Sequence, residues 1–282
     1  MQRCFLYVHY IDPHWPYTPP SPFDQAFDHR SDPPIRGGGI KPTQLVSSKE
    51  DQEWVGRTID QYDGEILFTD QHVGRLLKGL EELDILDNAL VIVTADHGEE
   101  FREHGKTGHS KTLYEEVLHV PFLLYWPGRV TPGSTYDEMV GLVDVMPTIL
   151  TFLGLEPPAE SQGFSFAPRL AEQTESNPAK KLFAQLIGDR LSLEMVRNHR
   201  YKFIRHVRGH QEGLEEFYDL KQDPLERNSL VLQGSPEMTA WRLELDAFNK
   251  FATRAASQTP EEQVQKLDSD TERALRALGY IK

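Results

Sequence analysis

The feature that most constrains the fold is an unbroken apolar stretch, Asn88-Ala89-Leu90-Val91-Ile92-Val93-Thr94. A strand with apolar side chains on both faces is typical of a parallel sheet covered by helices on each side. A helix is predicted before it, over about 50–84, where Ser47 and Glu50 have the spacing of a capping box. The apolar face of that helix repeats at helical spacing: Tyr62, Ile66, Thr69, Val73, Leu76, Leu77 and Leu80. The alternation of strand and helix predicts an α/β fold with a mainly parallel sheet.

The remaining elements divide the chain into four parts. A strand at Phe5–Ile11 opens the chain, and a second strand (Val120–Trp126) and a helix (Val143–Leu153) follow the central strand. We predict an α/β domain over 1–156, a connector over 157–181, an α+β subdomain over 182–254 and a helical tail over 255–282. The subdomain is expected to contain short antiparallel strands at Leu193–Arg197, Tyr201–Val207 and Glu216–Leu220, then a helix from Pro236.

Composition excludes several classes of protein. A net charge of −14 is poorly suited to non-specific nucleic-acid binding, which needs a basic surface. No apolar run approaches the roughly 20 residues of a membrane-spanning helix, and the start of the chain does not resemble a signal peptide. A single cysteine excludes an internal disulfide framework and a cysteine-rich zinc site.

Three polar clusters are expected at one edge of the predicted sheet, because ligands bind beyond the carboxyl ends of parallel strands. They are Asp12-Pro13-His14, Asp96-His97-Gly98-Glu99 and the loop from His104 to Lys111. Asp96 and His97 offer a carboxylate oxygen and an imidazole nitrogen, donors that suit a divalent cation. The side chains of His14, His109 and Lys111 could hold an anionic substrate and protonate a leaving oxygen.

Each cluster also has a simpler interpretation. Asp-His-Gly after a strand is often only a turn, and Asp-Pro-His is often a turn with an exposed histidine. Glu115 and Glu116 are interpreted as solvated charges on a helix face or as a cap for nearby backbone. Tyr17 is interpreted as either a groove residue or a cover for the core edge.

Taken together, these segments resemble the sulfatase family of the alkaline phosphatase superfamily. The matching segments are residues 5–17, the helix from Tyr62 to Leu77, residues 91–99, residues 108–128, residues 217–228 and the ending 275–280. The resemblance implies an alkaline-phosphatase-like sheet and hydrolysis of a sulfate ester at a divalent metal, usually Ca²⁺. It implies a sulfated small molecule or glycan as substrate. The oligomeric state is not readable from the sequence.

The resemblance also assigns roles by position. Asp96 and His97 correspond to two of the family's metal ligands, although many members have Asn where this chain has His97. His14 corresponds to the histidine that contacts the sulfate group. Lys111, with His109 beside it, lies where the family places a basic residue near the leaving oxygen.

The family nucleophile is a formylglycine made from Cys or Ser in a Cys/Ser-x-Pro/Ala-x-Arg motif, which is expected upstream of the segment at Phe5. Cys4 does not stand in such a motif. Ser165-Phe166-Ala167-Pro168-Arg169 fits the pattern but follows the metal pair, and we interpret it as a chance match. We therefore expect this chain to be the C-terminal part of a sulfatase, with little activity alone. The compartment is not readable from the sequence, and the resemblance favours export of the full-length protein.

Two other functions remain open. One is hydrolysis of a phosphoester or phosphonate, because the Asp-His-Gly cluster also occurs elsewhere in the superfamily. The other is an inactive module that keeps the anion pocket without the nucleophile.

Overall fold

The computed structural model describes residues 4–28, 49–172, 180–231 and 236–258, together with Arg273. The predicted cap at Ser47 and the ending 275–280 lie outside these residues. The helices are α1 Lys49–Glu82, α2 Glu115–Leu118, α3 Val145–Phe152, α4 Ala167–Glu172 and α5 Pro236–Gln258. The strands are β1 Val91–Thr94, β2 Glu100–Phe101, β3 Thr107–Gly108, β4 Phe122–Tyr125, β5 Leu182–Ile187, β6 Ser192–Arg197, β7 Tyr201–Arg208 and β8 Glu215–Asp219.

The long helix α1 confirms the periodicity argument, because its observed bounds lie within two residues of the predicted ones. Its middle carries the contacts that matter for the site. Gln61 is buried and donates to the carbonyl of Asp24, and Glu65 accepts the amide of Thr18 at 2.7 Å. Helix α1 thereby holds the segment that follows His14.

The predicted mainly parallel sheet is not borne out among the described residues. β1 pairs with β4 in antiparallel register, with Val91 opposite Tyr125, and every other pair of assigned strands is antiparallel too. An unbroken apolar run predicts a strand with two covered faces, but the direction of pairing depends on which strand lies beside it. In β1 the three apolar residues Val91, Ile92 and Val93 are half-buried.

The predicted opening strand at Phe5–Ile11 is wrong for this structure. Residues 5–11 have no regular secondary structure, and Phe5, Leu6 and Tyr7 are 83%, 62% and 74% exposed. A strand needs a neighbour to pair its amides and carbonyls, and none of the described strands pairs with this segment.

The C-terminal strands confirm the antiparallel prediction. β5, β6, β7 and β8 form a meander in which consecutive strands pair, and β5 is a strand that the sequence argument did not single out. One face of this sheet holds the buried cluster of Leu193, Met195, Ile204 and Tyr218. Leu113 belongs to the same cluster, with Tyr114 and Leu118 packed against it. The segment that leads into α2 is therefore anchored on this sheet.

The chain divides into two compact units, Met1–Leu232 and Gln233–Lys282. The first holds every element from α1 to β8, and the second holds α5. The four domain boundaries drawn from the sequence stay predictions. Across the described ranges, no helix has the length and apolar character needed to cross a membrane. α4 shows that the predicted connector contains a short helix.

Candidate active site

Three of the histidines singled out from the sequence lie in one cluster. The rings of His97 and His109 stack at 3.9 Å between centroids, with 28° between their planes. The ring of His14 lies 5.2 Å from that of His109. Segments separated by more than 80 residues thus place their imidazoles together, and His109 is the central ring. The expected proximity of these groups is observed, and their catalytic roles stay predictions.

The turn around His14 is held by a buried tyrosine three residues later. The hydroxyl of Tyr17 donates to Glu99 Oε2 at 2.7 Å, and its side chain is 5% exposed. Its ring packs edge-on against Tyr62 of α1 at 5.4 Å and also contacts Phe101 of β2. These aromatic contacts join the first segment to α1 and to the loop after β1.

Glu99 is the anchor of the histidine cluster. Its Oε1 lies 3.3 Å from His109 Nδ1, while its Oε2 accepts the Tyr17 hydroxyl. Burial alone would raise the pKa of this carboxyl. The hydrogen bonds from His109 and Tyr17 and the charges of His109 and His97 outweigh burial and lower the pKa. Glu99 therefore stays ionised at neutral pH and holds the His109 ring by its Nδ1.

Two other rings have a defined tautomer because one nitrogen of each faces a carbonyl. His14 Nδ1 lies 2.7 Å from the carbonyl of Trp15, and His97 Nδ1 lies 2.8 Å from that of Gly98. A carbonyl only accepts, so each Nδ1 carries the proton and donates. In the neutral state of each ring, Nε2 is left with a lone pair, which suits ligation or proton transfer.

Asp96 and His97 lie at the end of β1 and could supply two donors to a cation. The exposed carboxylate of Asp96 accepts the amide of His97 at 3.0 Å, and its Oδ1 is 3.8 Å from His97 Nε2. The donor types fit a divalent cation, but Ca²⁺ takes about 6–8 oxygen ligands. Within the residues that the structure describes, no group of three or more ligating side chains is present. This chain can therefore contribute part of a metal site, and further ligands would have to come from elsewhere.

His109 and Lys111 differ in position although both were predicted as basic site residues. His109 lies between Gly108 and Ser110, which both have left-handed φ angles of 79° and 63°. The left-handed backbone on each side of His109 accompanies the orientation of its ring toward His14 and His97. Lys111 is exposed, and its Nζ donates to the carbonyl of Thr107 at 2.6 Å. The geometry thus favours His109 over Lys111 as the group nearest His14 and His97.

The sequence argument did not assign roles to Glu99 and Tyr17, and its interpretation of Glu115 and Glu116 as solvated charges was wrong, since Glu116 pairs with His104. Glu99 directly follows Asp-His-Gly, which was the available signal. Glu115 was interpreted as a solvated charge, but it pairs with Lys202 and Arg197 of the C-terminal sheet. Only the tertiary structure brings these partners within reach.

The Ser165–Arg169 segment has contacts of a structural kind. The hydroxyl of Ser165 accepts the amide of Ala167 at the start of α4, and the amide of Phe166 donates to Thr148 Oγ1 at 3.1 Å. Arg169 pairs with Glu138. These contacts support its interpretation as a chance match to the nucleophile motif.

Comparisons with known proteins bear on the family of the chain. The sulfatase family model matches residues 1–155, and the model for the C-terminal part of N-sulphoglucosamine sulphohydrolase matches residues 103–248. The chain is 30% identical over 224 residues to N-acetylglucosamine-6-O-sulfatase of Bacteroides thetaiotaomicron, which covers 74% of this chain and 37% of that protein. It is 28% identical over 247 residues to arylsulfatase of Clostridium perfringens, covering 80% of this chain and 49% of the relative. The chain thus spans about half or less of the length of these relatives.

A solved structure adds support for the fold. The structure of BT4656 in complex with its substrate D-glucosamine-2-N,6-O-disulfate has 27% identity and a TM-score of 0.63. The match covers 78% of this chain and 45% of that one. Because the family model spans more than half of the residues, the chain belongs to the sulfatase family.

Proposed function

We propose that this chain supplies the substrate-binding and proton-transfer half of a sulfatase active site that hydrolyses a sulfate ester. The observation that carries the proposal is the cluster of His14, His97 and His109 on the ionised Glu99. In this cluster the imidazoles of His14 and His109 can bind an anion through their N–H groups and take part in proton transfer. The substrate class, a sulfated sugar or other sulfated small molecule, is proposed from the family and from the substrate named for BT4656.

The roles follow from the hydrogen bonds already made by each ring. Because Nδ1 of His109 is hydrogen-bonded to Glu99, a protonated His109 can donate only its Nε2 proton to the substrate. The proposed acceptor of this proton is the leaving oxygen. His14, whose Nδ1 is committed to the Trp15 carbonyl, can direct Nε2 at a sulfate oxygen. Fixed donors of this kind stabilise charge that develops in the transition state.

Asp96 and His97 are the proposed ligands from this chain to a divalent cation, for which Ca²⁺ is the family's usual choice. The cation, when bound, would neutralise charge on the sulfate group. The nucleophile is proposed to be a formylglycine encoded outside this sequence, so that the chain is the C-terminal part of the working enzyme. Export of the complete protein belongs to the same proposal.

The test uses the product of the whole reading frame that contains this chain, referred to below as the complete enzyme. It is made with a formylglycine-generating enzyme and assayed on 4-nitrophenyl sulfate and 4-nitrophenyl phosphate. We expect faster turnover of the sulfate, lost on chelation of the metal, and background rates for the 282-residue chain alone. Faster turnover of the phosphate would favour a phosphoesterase. Binding of sulfate without turnover of either ester would favour the inactive module.

A further inference from the structure

Glu226 lies at the centre of a buried ion cluster on the C-terminal sheet. The side chain of Lys202 on β7 is fully buried, and its Nζ is 2.8 Å from Glu226 Oε1 and 3.0 Å from Glu115 Oε1. Arg197 of β6 pairs with the same carboxylate of Glu115. Glu226 itself is 1% exposed and has a left-handed φ of 52°. A buried charge and a left-handed non-glycine backbone are both costly, and such features persist where the surrounding contacts impose them.

Two further contacts of Glu226 reach the segment that builds the candidate site. Its Oε2 accepts the amide of Glu115, the first residue of α2, at 2.7 Å. Its backbone carbonyl lies 3.1 Å from His104 Nε2. One residue that follows the last strand of the sheet thus holds both the loop at His104 and the start of α2.

The helix α2 in turn determines the backbone between His97 and Glu99. The amide of Gly98 donates to the carbonyl of Val117 at 2.8 Å. A Cβ built on Gly98 would lie 2.1 Å from the carbonyl oxygen of Glu116, so the two backbones are in direct contact. The carbonyl of Gly98 also receives the Nδ1 proton of His97. A shift of α2 therefore displaces the turn that orients both the imidazole and the carboxylate.

His104 completes the same arrangement from the other side. Its Nδ1 lies 2.6 Å from Glu116 Oε1, and its ring stacks on Tyr114 at 3.6 Å. Both ring nitrogens face acceptors, so the ring satisfies them only as an imidazolium. Burial alone would lower the pKa of His104, but Glu116 and the carbonyl of Glu226 outweigh it and raise the pKa. Tyr114 donates to Glu216 on β8, which ties the stacked pair to the sheet.

We propose that Glu226 is a positioning residue for the candidate active site, acting through α2 and Gly98 on His97 and Glu99, with Lys202 and His104 as its partners. The inference rests on the proposed function, since it names a further determinant of the same site. It gives a physical role to the segment 217–228, which the sequence comparison matched but to which no chemistry was assigned.

The test follows the site directly by nuclear magnetic resonance of the full chain. Glu226→Gln keeps the size of the side chain but removes the charge opposite Lys202. The matched control, Glu194→Gln, removes the 2.7 Å ion pair with Arg205 between β6 and β7 of the same sheet. We expect Glu226→Gln to shift the amide signal of Gly98 and the ring signals of His97, whereas Glu194→Gln leaves them in place.

A second variant covers the case in which Glu226→Gln does not fold. His104→Phe keeps a ring against Tyr114 but removes both of its hydrogen bonds, and we expect it to shift the same signals. The proposal is overturned if the variants that fold leave Gly98 and His97 unmoved, or if Glu194→Gln moves them equally.

Kinetics of the complete enzyme provide the second readout. We expect Glu226→Gln to lower kcat about tenfold or more with KM little changed, because a small misplacement of site groups can cost up to about 100-fold. Glu194→Gln should leave both constants near the wild-type values. Equal losses in the two variants would overturn the positioning role. An inactive wild-type enzyme whose Gly98 and His97 signals still respond to Glu226→Gln would refute the proposed function while supporting the positioning role.

Discussion

The region that forms the histidine cluster and the four-stranded C-terminal sheet differ in how many strands pair and in how deeply those strands are buried. β1 and β4 form a sheet of only two strands, and Leu123 and Tyr125 of β4 are 60% and 51% exposed. In the C-terminal sheet, Val196, Phe203 and Ile204 are at most 1% exposed. A two-stranded sheet is marginally stable by itself. The comparison shows that the two-stranded sheet next to the histidine cluster is poorly covered, whereas the C-terminal sheet is well packed.

The two regions meet at α2, where the C-terminal sheet holds the segment that follows the loop from His104 to Lys111. Leu113 is buried in the cluster of the sheet, and Glu115 is paired with Lys202. The C-terminal sheet therefore helps to order the site, although none of the three clustered imidazoles lies on its strands. Substitutions in the histidine cluster should chiefly reduce turnover, whereas substitutions in the core of the C-terminal sheet should chiefly reduce stability.

The largest effect is expected at His109. His109→Ala should lower kcat of the complete enzyme on an aryl sulfate by about 10²–10⁴-fold, the usual contribution of a general acid or base. Lys111→Ala should have a smaller effect, because its Nζ binds the Thr107 carbonyl. A larger loss in Lys111→Ala than in His109→Ala would contradict this assignment.

The next largest effect tests the packing of the C-terminal sheet. Phe203→Ala should reduce the free energy of unfolding by about 3–5 kcal/mol, as expected for a fully buried phenylalanine. The matched change Leu123→Ala in the exposed β4 should cost below about 1 kcal/mol. Urea denaturation of both variants measures the difference. Similar losses in the two would mean that β4 is as well packed as β7.

A smaller effect is expected at the contact that joins the first segment to Glu99. Tyr17→Phe removes the hydroxyl that donates to this buried carboxylate and should cost about 1–3 kcal/mol. Tyr7→Phe is the control, because Tyr7 is 74% exposed and its substitution should be neutral. Chemical denaturation of both variants gives the comparison. An unchanged stability of Tyr17→Phe would show that Glu99 does not depend on this hydroxyl.

The smallest effect concerns the pH dependence of stability through His104, whose ring faces Glu116, Tyr114 and the carbonyl of Glu226. Its backbone amide donates to Glu100. Because the folded-state pKa is raised, the imidazolium stabilises the fold fully below its unfolded pKa of about 6.5. This contribution is lost as the pH rises through the higher folded-state pKa. The stability difference between wild type and His104→Phe, measured by urea denaturation across this range, should therefore shrink with rising pH. A difference that grows would reverse the assigned sign.

Local pattern predicted some elements well and others poorly, for identifiable reasons. The periodic apolar face was enough to place α1, and short apolar and aromatic runs were enough to place β6, β7 and β8. The segment at Phe5–Ile11 has the composition of a strand but is not one here, because a strand exists only where a neighbour accepts its hydrogen bonds. Glu226 gave no local signal of its role, since its partners Lys202, Glu115 and His104 are distant in the chain.

The amino-acid sequence by itself determined the family, the helix α1, the antiparallel C-terminal strands and the residues able to bind a cation or an anion. These depend on residue type and short spacing, which are local properties. The tertiary structure alone decided that β1 and β4 run in opposite directions, that His109 rather than Lys111 lies against His97, and that Glu99 and Glu226 hold the site. Those outcomes depend on which groups distant in the chain share a low-dielectric interior, where each buried charge must find a partner.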